Sequence, residues 1–170
     1  MEPTRSTAAS GHAQRPLRAY RTGAVTRWLR IATVAFSAAV VLAVLVKYPS
    51  LPETVPTHFG PTGEADAWGS RASILLLVFI NCALVGGMTW LSYRPRWFNY
   101  PGEITEENAQ RMYRLGEQML VWVNAGCALL FAGILADIAF GIGTVSLALP
   151  AAIGLVVVAV WGLVRMLRAQ

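Results

Sequence analysis

Four long runs without a charged residue dominate this chain, at 31–46, 72–93, 118–136 and 138–164. A helix rising 1.5 Å per residue needs about 20 mainly apolar residues to cross roughly 30 Å of hydrocarbon. The last three runs pass that test, and the first passes once Trp28 and Leu29 are added. Hydrophobic residues make up 55% of the chain and charged ones 14%, more apolar material than a soluble core of this size needs. The expected fold is an all-α integral membrane protein with four transmembrane helices. A cleaved signal peptide is the competing reading of the first run. Its basic leader is long, its apolar stretch exceeds the usual length, and "VLVKYPSLP" offers no small-residue cleavage site. The first run is therefore expected to be a retained anchor.

The net charge of +5 encodes orientation. Arg5, Arg15, Arg18, Arg21, Arg27 and Arg30 precede or open the first span. Arg94, Arg96, Arg111 and Arg114 separate the second from the third, and Arg165 and Arg168 close the fourth. Only Lys47 and Arg71 fall on the other side. The positive-inside rule then places both termini and the middle loop in the cytoplasm, and the basicity needs no nucleic-acid partner to explain it. Residues 1–22 are polar, basic and without hydrophobic periodicity, so they are read as a disordered cytoplasmic tail in which His12 has no role. Residues 23–170 form the membrane domain.

Helix one is expected over 28–48, stopped by Pro49 and Pro52, with Trp28 and Tyr48 at the two interfaces. Helix two starts after Ser70 as N-cap and ends in "TWLSYRPRW", where Pro95 breaks it. Thr105 is the expected N-cap of helix three, with Glu106 and Glu107 in its favourable first turn. That helix should run over 106–137, roughly 45–50 Å, so its first turns extend into the cytoplasm as a charged stalk. Met112, Leu115 and Met119 give the stalk one apolar face. Glu107 and Arg111 are spaced i,i+4, and with Arg114 they mark a surface for a cytoplasmic regulator. "IAFGIG" turns the chain into helix four, over 144–164, with Pro150 near its start.

Between helices one and two lies "YPSLPETVPTHFGPTGEADAWGSR". Pro52 and Pro56 fix their own φ and push the preceding residues to extended geometry. "GPTG" fits a β-turn with Pro61 second and Gly63 fourth. A tether would not need so many φ-restricting residues, so the loop is expected to be a structured extracytoplasmic cap. Its candidate binding residues for a peptide, lipid or protein partner are His58, Phe59, Asp66 and Trp68. His58, Glu64 and Asp66 are also a weak alternative metal set. No HExxH, CxxC or second histidine accompanies them, so no metal or other cofactor is expected.

No nucleophile elbow, glycine-rich phosphate loop or base for Ser70 or Ser73 is present, so no enzyme is expected. Asn81 and Asn124 fall near the middle of spans two and three, where an amide usually bonds across to a neighbouring helix. Cys82 and Cys127 are read as small packing side chains, and Ala83-x-x-x-Gly87 and Ala128-x-x-x-Ala132 as faces for close helix approach.

The loop resembles the signature of the DUF1648 membrane domain at Leu51, Pro52, Pro56, His58, Phe59, Gly63, Asp66, Trp68 and Arg71. A second stretch of that domain is similar to this chain at Pro101, Thr105, Glu107, Asn108 and Tyr113, giving a signature over 48–120. The resemblance implies kinship with the N-terminal part of SdpI-like immunity proteins, which protect a producing cell from a secreted peptide toxin and can hold a repressor at the membrane. Those relatives continue into a further multi-helix module, where this chain has one more helix. The expected function is a non-enzymatic binding, signalling or immunity-type module. A small transport or membrane-enzyme subunit, or a structural subunit of a complex, is the alternative.

Overall fold

The computed structural model describes residues 15–169, so His12 lies outside the described residues. Four helices are long and apolar enough to cross a membrane. They are α1 (Ala24–Lys47), α2 (Ser73–Ser92), α3 (Ala109–Phe140) and α4 (Ala148–Leu167). A two-stranded antiparallel hairpin, β1 (Thr54–Phe59) and β2 (Ala65–Ser70), joins α1 to α2. The all-helical expectation thus needs one amendment: the cap is a β-hairpin. Helix α3 is the axis of the bundle and packs against α1, α2 and α4.

The helices are apolar outside and carry polar groups within. On α1 the buried positions are Thr26, Arg30, Thr33, Ser37 and Val44, while Val25, Trp28, Ile31 and Leu42 are exposed. The 4-3-4 spacing of the four polar residues puts them on one helical face. In lipid no hydrophobic force drives helix against helix, so small residues and interhelical hydrogen bonds hold the contact. The two amides supply such bonds. Asn81 Nδ2 donates to Ser37 Oγ at 2.8 Å, tying α2 to α1. Asn124 Nδ2 donates to Thr89 Oγ1 at 3.0 Å and to the Val85 carbonyl at 3.3 Å, tying α3 to α2. Both cysteines are free, and Cys82 points outward from α2 rather than packing within it.

Several boundaries move. Ser70 ends β2 instead of capping α2, although its Oγ accepts from Ala72 N–H at 3.3 Å. Thr105 and Asn108 exchange side-chain bonds with each other's backbone N–H at 3.0 and 3.3 Å, a reciprocal cap on the turn before α3. At the other end α3 runs three residues past Asp137 and stops at left-handed Gly141, whose N–H bonds the Asp137 carbonyl.

The largest revision concerns the chain around the start of α3. Residues 15–22, expected within a disordered tail, lie along α3 instead. Arg15 donates to the carbonyls of Arg96 and Phe98 at 3.0 and 2.7 Å. Gln110 bonds the backbone at Leu17 and Ala19, and Tyr113 Oη donates to the Pro16 carbonyl at 3.0 Å. The expected stalk is therefore sheathed. Met112 and Tyr113 are fully buried, in a cluster with Tyr100 and Met166 that Tyr20, Phe98, Leu115 and Met119 complete. A strap of apolar and arginine side chains covers a helix that would otherwise leave this face unpaired.

Candidate functional site

Two places gather polar chemistry, one at each end of the bundle. The hairpin is fixed at its root. Leu51 and Val55 are buried with Val44, Ile74 and Leu135, and Phe59 packs against that cluster. Arg71 N–H bonds the Glu53 carbonyl at 2.9 Å, and its guanidinium donates to the Leu51 carbonyl at 3.2 Å. At the tip, Gly63 N–H bonds the Gly60 carbonyl at 3.0 Å, closing the expected Gly-Pro-Thr-Gly turn. Gly63 has φ +94°, and a Cβ there would come within 3.1 Å of the Ser146 backbone. Only glycine fits that left-handed turn against the α3–α4 connection.

From this root three of the four candidate residues point outward. His58 Nδ1 and Asp66 Oδ1 lie 2.5 Å apart across the hairpin, both well exposed. Trp68 is 63% exposed, two residues further along β2. Phe59 departs from the set, because it turns inward and belongs to the root. Strand pairing slips at Thr57 and Asp66, the kind of irregularity that re-aims side chains. Glu64 bonds the Thr62 hydroxyl instead of joining His58 and Asp66. Among the described residues no three His, Cys, Asp or Glu side chains are placed to hold a metal ion, so the alternative metal set is not assembled.

The second place was not anticipated. Glu117, a stalk residue by sequence, is 1% exposed and draws in four side chains. Its Oε1 accepts from Arg30 Nη2 at 2.5 Å and from Thr22 Oγ1 at 2.7 Å. Its Oε2 accepts from Tyr20 Oη at 2.5 Å and Arg18 Nη2 at 3.3 Å. The Arg30 guanidinium also lies 4.0 Å from the centre of the Tyr93 ring. A carboxylate removed from water needs such a full set of donors. Burial raises the Tyr20 phenol well above its ordinary value, and the Glu117 carboxylate adds to the effect. The signal in the sequence was weak. Glu117 is the last acidic residue before the third uncharged run, and Arg30 the last basic one before the first. The other stalk candidates, Glu107, Arg111 and Arg114, remain exposed.

Residues 35–81 match the family model described as "Domain of unknown function (DUF1648)". The chain carries a DUF1648 domain. The match runs from the middle of α1 through the hairpin to Asn81, so it contains His58, Phe59, Asp66 and Trp68 and stops short of the second expected stretch. The chain is also similar to an uncharacterized protein of Archaeoglobus fulgidus, 40% identical over 94 residues, covering 47% of this chain and 46% of that protein. It thus spans just under half of that relative's length. No solved structure matches. The DUF1648 segment ends with the first interhelical amide bond, so the matched unit is the hairpin together with the two half-helices that hold it.

Proposed function

We propose that this protein is a non-enzymatic binding module of the plasma membrane whose hairpin is its recognition surface on the extracytoplasmic side. The arginines around the strap, the α2–α3 connection and the end of α4 then face the cytoplasm, as the positive-inside rule requires. One observation carries the reading: Trp68 stands exposed on a hairpin whose root is buried and whose base is clamped by Arg71. A large ring carried on a backbone fixed by such a root leaves only its own two side-chain torsions to be ordered on binding, and tryptophan is enriched among interface anchors. His58 and Asp66 add polar groups on the same hairpin. The occupant that fits is a peptide or protein offering an apolar side chain to Trp68 and a hydrogen bond to the His58–Asp66 pair. The resemblance to immunity proteins makes a secreted peptide the first candidate. Glu107, Arg111 and Arg114 are the exposed face for a cytoplasmic regulator.

A photo-crosslinking amino acid at position 68, activated in intact cells, tests this. The expected result is a discrete polypeptide adduct that weakens when His58→Ala is added. Adducts to lipid alone, unchanged by that substitution, contradict it.

A further inference from the structure

Among the described residues, a cationic cavity at one end of the bundle is lined by no acidic side chain. A cleft of about 820 Å³ opens between the first turns of α3 and the last turn of α4. Arg111, Arg114, Arg165 and Arg168 line it, with Gln110 and Gln118 between them. Every ion pair among the described residues involves Glu117 or the hairpin, so none of these four arginines is paired there. Four guanidinium groups around one cavity repel each other unless an anion joins them, and the planar fork of arginine matches phosphate oxygens.

The cleft does not end at the arginines. It shares Leu115, Gln118 and Arg165 with a narrow slot of about 80 Å³ that continues along the helices into the apolar zone. Trp122 on α3 and Val158, Trp161 and Gly162 on α4 line this slot. The Arg165 guanidinium lies 4.7 Å from the Trp161 ring, at the junction of the two parts. A basic cup opening into an apolar slot has the polarity of one molecule: a phosphate head followed by a hydrocarbon tail. Basic pockets between membrane helices take anionic head groups for this reason.

We infer that the α3–α4 cleft is a binding site for an anionic phospholipid, with its phosphate among Arg111, Arg114, Arg165 and Arg168 and an acyl chain between Trp122 and Trp161. The site is independent of which face of the membrane it lies on and of what the hairpin binds. An anionic lipid here would also hold the end of α4 against the sheathed part of α3, where Arg111 already bonds the Ala169 carbonyl.

The test is native mass spectrometry and thermal unfolding of the purified full chain in neutral detergent. Phosphatidylglycerol, phosphatidylcholine and inorganic phosphate are added separately. Phosphatidylglycerol should give a retained one-to-one adduct and raise the unfolding temperature, while phosphatidylcholine does neither. Arg165→Gln with Arg168→Gln, two exposed side chains, should weaken the adduct at least tenfold. Arg111→Gln serves as a second variant should that pair fail to fold. Equal retention of both lipids overturns the inference, as does an adduct indifferent to either variant. Stabilisation by inorganic phosphate equal to that by phosphatidylglycerol overturns the acyl-chain part and leaves a phosphate site.

Discussion

Arg30 of α1 and Glu117 of α3 meet at 2.5 Å with 4% and 1% of their side chains exposed. This pair joins the first and third helices at the level where the strap of residues 15–22 folds over the bundle. Removing one partner leaves the other charge buried and unpaired, which typically costs about 3–5 kcal/mol. Glu117→Gln is therefore expected to destabilise the protein by that order, measured by chemical unfolding in lipid. Arg30→Met combined with Glu117→Leu should lose less than the two single changes summed. Additive losses would mean that the two groups do not interact.

The strap carries a pH signature. Burial holds the phenols of both Tyr20 and Tyr100 above their ordinary range, so the fold favours their neutral forms. For an acid whose pKa is raised by folding, the stabilising contribution is complete below the unfolded value of about 10 and is lost as pH rises beyond it. The unfolding temperature should accordingly fall between pH 10 and 12. Tyr20→Phe should make that fall shallower while lowering stability at neutral pH, because Glu117 loses a donor.

Inside the bundle, the amide of Asn81 and the hydroxyl of Ser37 form a bond with few alternatives. Interhelical hydrogen bonds of this kind contribute about 0.5–1.7 kcal/mol. A double-mutant cycle with Asn81→Ala and Ser37→Ala should return a coupling in that range. A coupling of zero would show that the two side chains hold no bond in the membrane.

Gly116 sets two effects against each other. Alanine gains about 1 kcal/mol of helix propensity over glycine in a helix interior. A Cβ at this position, however, would come within 2.9 Å of both Phe98 Cδ2 and Tyr100 Oη. Overpacking of this kind costs about 1–3 kcal/mol, so Gly116→Ala should destabilise despite its propensity. Hydrogen exchange should localise the loosening to residues 96–104 and the first turns of α3.

The spans were legible because bilayer thickness imposes a length on every uncharged run, and all four appear close to where that length puts them. The turn at Gly60–Gly63 was legible because proline and glycine act on their own φ. The bonds of Asn81 and Asn124 followed from the cost of an unpaired amide in lipid. What escaped notice depends on residues far apart in the chain. Nothing local to Glu117 distinguishes a buried carboxylate from a solvated one. Its burial needs Arg18, Tyr20, Thr22 and Arg30, all nearly ninety residues away or more. The same holds for residues 15–22, whose composition reads as unfolded until α3 offers Gln110 and Tyr113. Phe59 faces inward because it shares a face of β1 with buried Val55, four residues before it, an alternation that is readable only once the loop is known to be a strand.

The proposed recognition role requires the hairpin and the arginine-rich end to lie on opposite faces of the membrane. In a background with Cys82→Ala and Cys127→Ala, single cysteines at Thr62 and at Glu107, both exposed, can be probed with a membrane-impermeant maleimide. The Thr62→Cys protein should be labelled on intact cells and the Glu107→Cys protein only after lysis. Labelling of the Glu107→Cys protein from outside, or of both positions from the same side, would contradict that role.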